Sequence, residues 1–183
     1  MVCENKDSAV QWFAMRDLSR RHAKNPAYKL LTGLQFEIFT PMTRKIVVKQ
    51  GKRVSREIPV MQDLLFVHDT RERVDAAVKK IDNLQYRFIR GGYCEPMVVR
   101  DEAMERFIHA VKSSRLPRYF QPEEITREMC GQYIRIIGGH LNGYEGYLLS
   151  LRGSKYKRLM VELPNFMTVA VEVQPDLIEV LQQ

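Results

Sequence analysis

The stretch GQYIRIIGGHLNGYEGYLLSLRGSKYKRLMVEL, Gly131 to Leu163, decides the fold class of the C-terminal part. It opens on an alternating run, Tyr133-Ile134-Arg135-Ile136-Ile137, in which every second side chain is apolar. That period places one face inward and predicts a strand. A turn punctuated by Gly138, Gly139, Gly143 and Gly146 follows, because glycine adopts backbone angles that a Cβ makes costly. Tyr147–Leu151 and Arg158–Leu163 read as two further strands, joined by a basic turn at Arg152–Lys157. Thr168–Val173 alternates again, and Asp176–Leu181 is expected to pack as a short edge element.

Upstream the pattern is mixed. Trp12–Arg16 reads as a first strand, followed by a basic stretch from Arg16 to Lys24. Pro26 opens a helix with Ala27, Leu30, Leu31 and Leu34 on one face, since an early helical position has no use for the missing N–H. Phe36 to Val48 reads as strand around Pro41, and Val54–Val60 runs back after a turn at Lys49–Arg53. This predicts a basic β-hairpin carrying Arg44, Lys45, Lys49, Lys52, Arg53 and Arg56. Leu64–Val67 is a continuous apolar run, expected at the centre of a sheet. Asp69 and Glu72 have the spacing of a capping box for a helix containing Val74, Ala77, Val78 and Ile81. Tyr86–Ile89 and Met97–Val99 read as short strands, and Asp101 precedes a helix whose inner face is Met104, Phe107, Ile108 and Val111. Ser113–Glu124 carries Pro117 and Pro122 and no repeated apolar face, which predicts a linker. The expected organisation is an α+β domain over residues 9–112, a linker over 113–124 and an all-β domain over 125–183.

The chain has 183 residues, and 45% of them are hydrophobic, enough for a core in each part. Its 29 Lys+Arg exceed 22 Asp+Glu, for a net charge of +7 and a pI near 9.4. That balance suits an anionic partner and equally suits a soluble protein with a basic surface. Cys3, Cys94 and Cys130 are too widely spaced for a disulfide framework or a zinc site, so a reducing cytoplasm is expected. The N-terminus has no secretory pattern, and no apolar run reaches the length of a membrane span. His22, His68, His109 and His140 lack partners at metal-ligand or catalytic spacing. There is no phosphate loop and no nucleophile elbow, so neither enzyme activity nor a cofactor or metal is expected.

The Gly131–Leu163 stretch resembles a KOW motif, the signature of a small SH3-like barrel. Preceded by an α+β part that begins WFAMR and by a Pro-broken linker, it resembles the NusG family of transcription elongation factors from about Gln11 to Val180. The hairpin sequence RKIVVKQGKRVSREIPV and the segment ELPNFMTVAVEV are similar to the specialised RfaH and UpxY type, the latter acting at capsular polysaccharide operons. The resemblance implies an NGN-type antiparallel sheet with flanking helices, followed by a KOW barrel. It implies a first domain that docks on the clamp helices of the largest subunit of bacterial RNA polymerase and keeps the enzyme elongating. The family's pocket strand reads Phe-Pro-Gly-Tyr-x-Phe-Val, where this chain has Met61-Gln62-Asp63-Leu64-Leu65-Phe66-Val67. Met61, Leu64 and Phe66 are therefore the candidate polymerase-binding residues. A His-Thr-Thr contact motif has no counterpart; VDAAVK stands near that place, from Val74 to Lys79. In the barrel, Tyr144 matches an exposed aromatic that meets a small-subunit ribosomal protein or Rho.

Each candidate also has a plainer reading. Leu64 and Phe66 suit a core strand as well as a docking groove. The hairpin cations suit a solvated edge that resists aggregation, or phosphates of the non-template strand or upstream duplex. Tyr144 suits a partner anchor or a lid on the barrel end. Lys155, Lys157 and Arg158 suit RNA or ordinary surface. The rival function is an RNA-binding or ribosome-associated KOW protein.

Overall fold

The structure, a computed structural model, describes residues 8–20, 23–49, 51–150, 153 and 155–181. Cys3, His22, Leu151 and Arg152, which enter the expectations above, lie outside the described residues. The chain divides into two compact units, Met1–Asp101 and Glu102–Gln183. The division falls at the start of the last helix, whereas the sequence periodicity groups that helix with the first part.

In the first unit, β1 (Val10–Asp17), β2 (Glu37–Phe39), β5 (Leu65–Thr70), β6 (Leu84–Tyr86) and β7 (Val98–Val99) form a five-stranded sheet in the order β2-β5-β1-β6, with β7 also on β1. Every pairing is antiparallel. Phe13 lies opposite Val67 and Met15 opposite Leu65. These four pack with Ala27 and Leu31 of α1 (Ala27–Gly33) and with Val74 and Ala77 of α2 (Arg71–Lys80). Each of the larger side chains among them, the two alanines excepted, contributes about 1.5–3 kcal/mol by leaving water. Only Ala27 and Leu31 of the expected α1 stripe are buried; Leu30 is exposed within the helix and Leu34 at its C-cap.

Thr70, not Asp69, caps α2. Strand β5 extends to Thr70, whose hydroxyl accepts the Arg73 N–H at 3.5 Å. Asp69 instead takes the Arg73 guanidinium at 2.6 Å and the Thr70 N–H at 2.8 Å. Glu72 sits in the first turn and Lys79 and Lys80 in the last, both favourable for the helix dipole.

Pro41 splits the run read as one strand. Before it β2 joins the sheet; after it β3 (Met42–Lys49) pairs only with β4 (Lys52–Pro59), as a separate two-stranded ribbon. The ribbon turns at Gly51, whose φ of +74° favours glycine.

Helix α3 (Asp101–Ser113) starts on Asp101, the last residue of the first unit; the second unit holds the rest of it and a six-stranded antiparallel sheet. Its strands are β8 (Arg118–Phe120), β9 (Cys130–Ile136), β10 (Glu145–Leu149), β11 (Arg158–Leu163), β12 (Met167–Glu172) and β13 (Ile178–Val180). The order is β13-β9-β10-β11-β12-β8, which makes β13 an edge strand as expected. Strand β8 lies inside the stretch read as a linker. Pro117 precedes it and Pro122 follows it, and an edge strand tolerates both. Phe120 and Ile125 cover the face of the sheet that carries Leu149, Met160 and Ala170. The period-2 pattern of β12 therefore understates its burial: Met167 to Val171 are all buried.

Tyr119 of β8 buries its hydroxyl with no hydrogen-bond partner among the described residues, and burial pushes its phenol up to about 12. An unsatisfied buried hydroxyl costs about 1–3 kcal/mol. Tyr119→Phe is expected to leave stability at pH 7 unchanged or to raise it by up to about 1 kcal/mol in urea unfolding. In the wild type this neutral phenol contributes full stability below its unfolded value near 10 and loses it as pH climbs toward about 12. The variant lacks that share of the alkaline loss.

Candidate functional site

The segment between the ribbon and β5 is pinned by Gln62 and Asp63. The Gln62 amide donates to the Ser19 carbonyl at 2.9 Å. Asp63 takes the Arg87 guanidinium at 2.9 Å on its carboxylate and at 3.2 Å on its carbonyl, with Arg16 at 3.9 Å. This clasp holds Met61 half-buried at the start of the segment. Leu64 and Phe66 are 2% and 0% exposed. They lie on the sheet face opposite Leu65 and Val67: Phe66 pairs in register with Ala14 on one side and Phe39 on the other. The Phe39 and Phe66 rings are 6.4 Å apart. Of the three candidate polymerase-binding side chains, Met61 is the one with solvent access.

On the same face Trp12 stacks on His68, with ring centroids 4.6 Å apart. The His68 Nδ1 is 2.7 Å from Glu37, and its Nε2 is 3.8 Å from Asp101. The imidazole thus sits between two carboxylates, held by the register of β1, β2 and β5.

The ribbon gathers all six candidate cations. Arg44, Lys45 and Lys49 lie in β3, and Lys52, Arg53 and Arg56 in β4. Arg44, Lys45, Lys52, Arg53 and Arg56 are exposed. The register sets Arg44 opposite Glu57, Lys45 opposite Arg56, Val47 opposite Val54 and Lys49 opposite Lys52. Arg44 is bonded to Glu57 at 3.3 Å.

In the second unit, Gly138, Gly139 and Gly143 all have positive φ, and the Asn142 carboxamide oxygen accepts the Gly138 N–H at 2.7 Å. This turn delivers Tyr144 to α3. The Tyr144 hydroxyl donates to the Arg106 carbonyl at 3.1 Å and lies 3.0 Å from the His109 Nδ1. The Arg106 guanidinium sits 4.8 Å over the ring and donates to the Glu145 carbonyl at 2.7 Å. Burial raises the Tyr144 phenol while the Arg106 charge opposes the rise. Tyr144 is therefore half-buried and engaged within its own unit, by two residues that local spacing could not pair with it. Arg158, read as part of a basic turn, is 5% exposed and bonded to Glu172 at 2.7 Å across β11 and β12. Lys155 and Lys157 are exposed.

Among the described residues no group of three or more His, Cys, Asp or Glu is placed to hold a metal. No helix among them is long and apolar enough to cross a membrane.

Comparison with known proteins adds the family. No curated protein matches the chain by sequence. A solved structure described as "Domain interaction in Thermotoga maritima NusG" aligns with 95% of this chain and 98% of its own, at 13% identity and a TM-score of 0.47. The family profile described as "Transcription termination factor nusG" matches residues 10–108, from β1 into α3 and so across the Met61–Val67 segment and the ribbon. With more than half of its length matched, the chain belongs to the NusG family of transcription factors.

Proposed function

We propose that this chain is a bacterial transcription elongation and antitermination factor of the specialised RfaH and UpxY type, serving capsular or other surface polysaccharide operons. The observation that carries the reading is the family match over residues 10–108, which takes in the candidate docking segment and the ribbon together. In this reading the Met61–Phe66 segment docks on the clamp helices of RNA polymerase. The ribbon faces DNA, as non-template strand or upstream duplex. The second unit acts as an SH3-like KOW barrel that recruits a ribosomal protein or Rho through Tyr144. A partner that takes Tyr144 has to replace the contacts it now makes with Arg106 and His109. The protein works in the cytoplasm, and by binding energy without chemistry of its own.

The test is co-purification of the full chain with core bacterial RNA polymerase. Met61→Asp puts a carboxylate at the half-buried edge of the segment and is expected to weaken polymerase binding at least about tenfold, the effect of about 1.4 kcal/mol. Far-ultraviolet circular dichroism should match the parent. No binding by the parent chain overturns the function; unchanged binding by the folded variant overturns the docking segment.

A further inference from the structure

The ribbon is two-faced. In an antiparallel pair, residues opposite one another point to the same side and successive residues alternate. One face thus carries Arg44 with Glu57, Ile46 with Ser55, and Val48 with Arg53. Its single carboxylate is spent on Arg44 at 3.3 Å, and Ile46 and Val48 stand 72% and 71% exposed. The other face carries Lys45 with Arg56, then Val47 with Val54, then Lys52, with no carboxylate among them.

Like charges directly opposite one another destabilise a strand pair. The ribbon nevertheless sets Lys45 against Arg56, although Arg44 and Glu57 show that complementary pairing is available one position away. Repulsion of this kind is relieved by a polyanion. Arg56 and Lys52 are four residues apart along β4, which is about 13 Å at strand rise. The major groove of B-form DNA is about 12 Å wide and admits a two-stranded ribbon. Between Met42 and Pro59 there is no aromatic residue, so the ribbon offers no stacking platform of the sort that grips unpaired bases.

Building on the DNA-facing role of the ribbon, we infer that it binds duplex DNA through one face only. Lys45, Arg56 and Lys52 meet phosphates on the two sides of a groove, with Val47 and Val54 between them. Arg44 and Arg53, on the opposite face, do not take part.

The experiment measures affinity of the full chain for a 20–30 base-pair duplex and for one strand of it, as a function of salt, by fluorescence anisotropy. Lys45→Gln with Arg56→Gln is compared with Arg44→Gln with Arg53→Gln, so that the charge removed is equal. Each lost phosphate contact lowers the slope of log K against log salt by about 0.9. The first pair is expected to lower it by about 2, and the second by less than half of that. The first pair should also melt no lower than the parent, because it removes a repulsion. Equal losses in both pairs overturn the face assignment while leaving DNA binding intact. Tighter binding to the single strand overturns the duplex. Absence of salt-dependent binding in the parent chain overturns the DNA-facing role itself.

Discussion

Phe66→Ala is expected to destabilise the first unit by about 3–5 kcal/mol, the usual cost of emptying a buried phenylalanine site. Phe66 is 0% exposed in the central strand of the sheet, between Ala14 on β1 and Phe39 on β2. Ala14 is the small partner that makes room for the ring, and its single methyl cannot refill the space. Strands β1 and β5 are tied by six register pairs from Val10–Thr70 to Met15–Leu65, so the backbone has little freedom to collapse inward. A domain holds about 5–15 kcal/mol in total, and the loss consumes a large part of it. Trp12 is the only tryptophan and belongs to the same sheet face, so its fluorescence during urea unfolding reads this unit directly. A cost below about 1 kcal/mol would show that Phe66 is not packed as described.

That expectation bears on how polymerase binding is to be tested. A polar or truncated Phe66 that fails to bind would be reporting lost structure, not a lost contact. Met61 is the informative position because it is half-buried and lies outside β5. Phe66→Leu, which keeps most of the volume, is expected to cost less than about 1.5 kcal/mol and serves as the control for packing.

Patterns with a strict local period were readable from the chain. The alternation of Tyr133–Ile137 and the apolar run of Leu64–Val67 fixed strands that the structure contains as β9 and β5. The basic hairpin was readable too, because Gly51 and its flanking cations have a local signature. What escaped depends on partners distant in sequence. Strand β8 looks like a linker until Phe120 and Ile125 are seen covering Met160 and Ala170. Arg158 looks like surface until Glu172 is placed opposite it. Tyr144 looks free until α3 brings up Arg106 and His109 from more than thirty residues earlier. Asp63 looks like a damaged turn until Arg87 and Arg16 converge on it. The segregation of ribbon charge by face is a matter of register, which a list of basic residues does not contain.

Gly146→Ala is expected to destabilise the second unit, although replacing glycine in a strand ordinarily stabilises it by restricting the unfolded chain. Gly146 belongs to β10, opposite Ile134 of β9, and is not part of the preceding turn. A Cβ there would stand 2.6 Å from the Met160 carbonyl oxygen and 3.1 Å from the Leu159 side chain. The first neighbour is backbone of β11 and cannot swing away. Leu159 is fully buried and crowds the same Cβ from within the core. Overpacking of this kind costs about 1–3 kcal/mol and outweighs the gain of about 0.4–1 kcal/mol from the unfolded state. Gly146→Val enlarges the clash and is expected to keep the second sheet from forming. Gly143→Ala is the counterpart: its φ is +79°, yet nothing lies within 4 Å of the added Cβ. Its cost should therefore be only the left-handed strain of about 1–2 kcal/mol. Asparagine at both positions separates the two causes, because it tolerates the left-handed region required at Gly143 but adds bulk to the steric wall at Gly146. The measurement is urea unfolding followed by far-ultraviolet circular dichroism. Equal sensitivity to asparagine at the two positions would refute the close approach of β10 and β11 at Gly146.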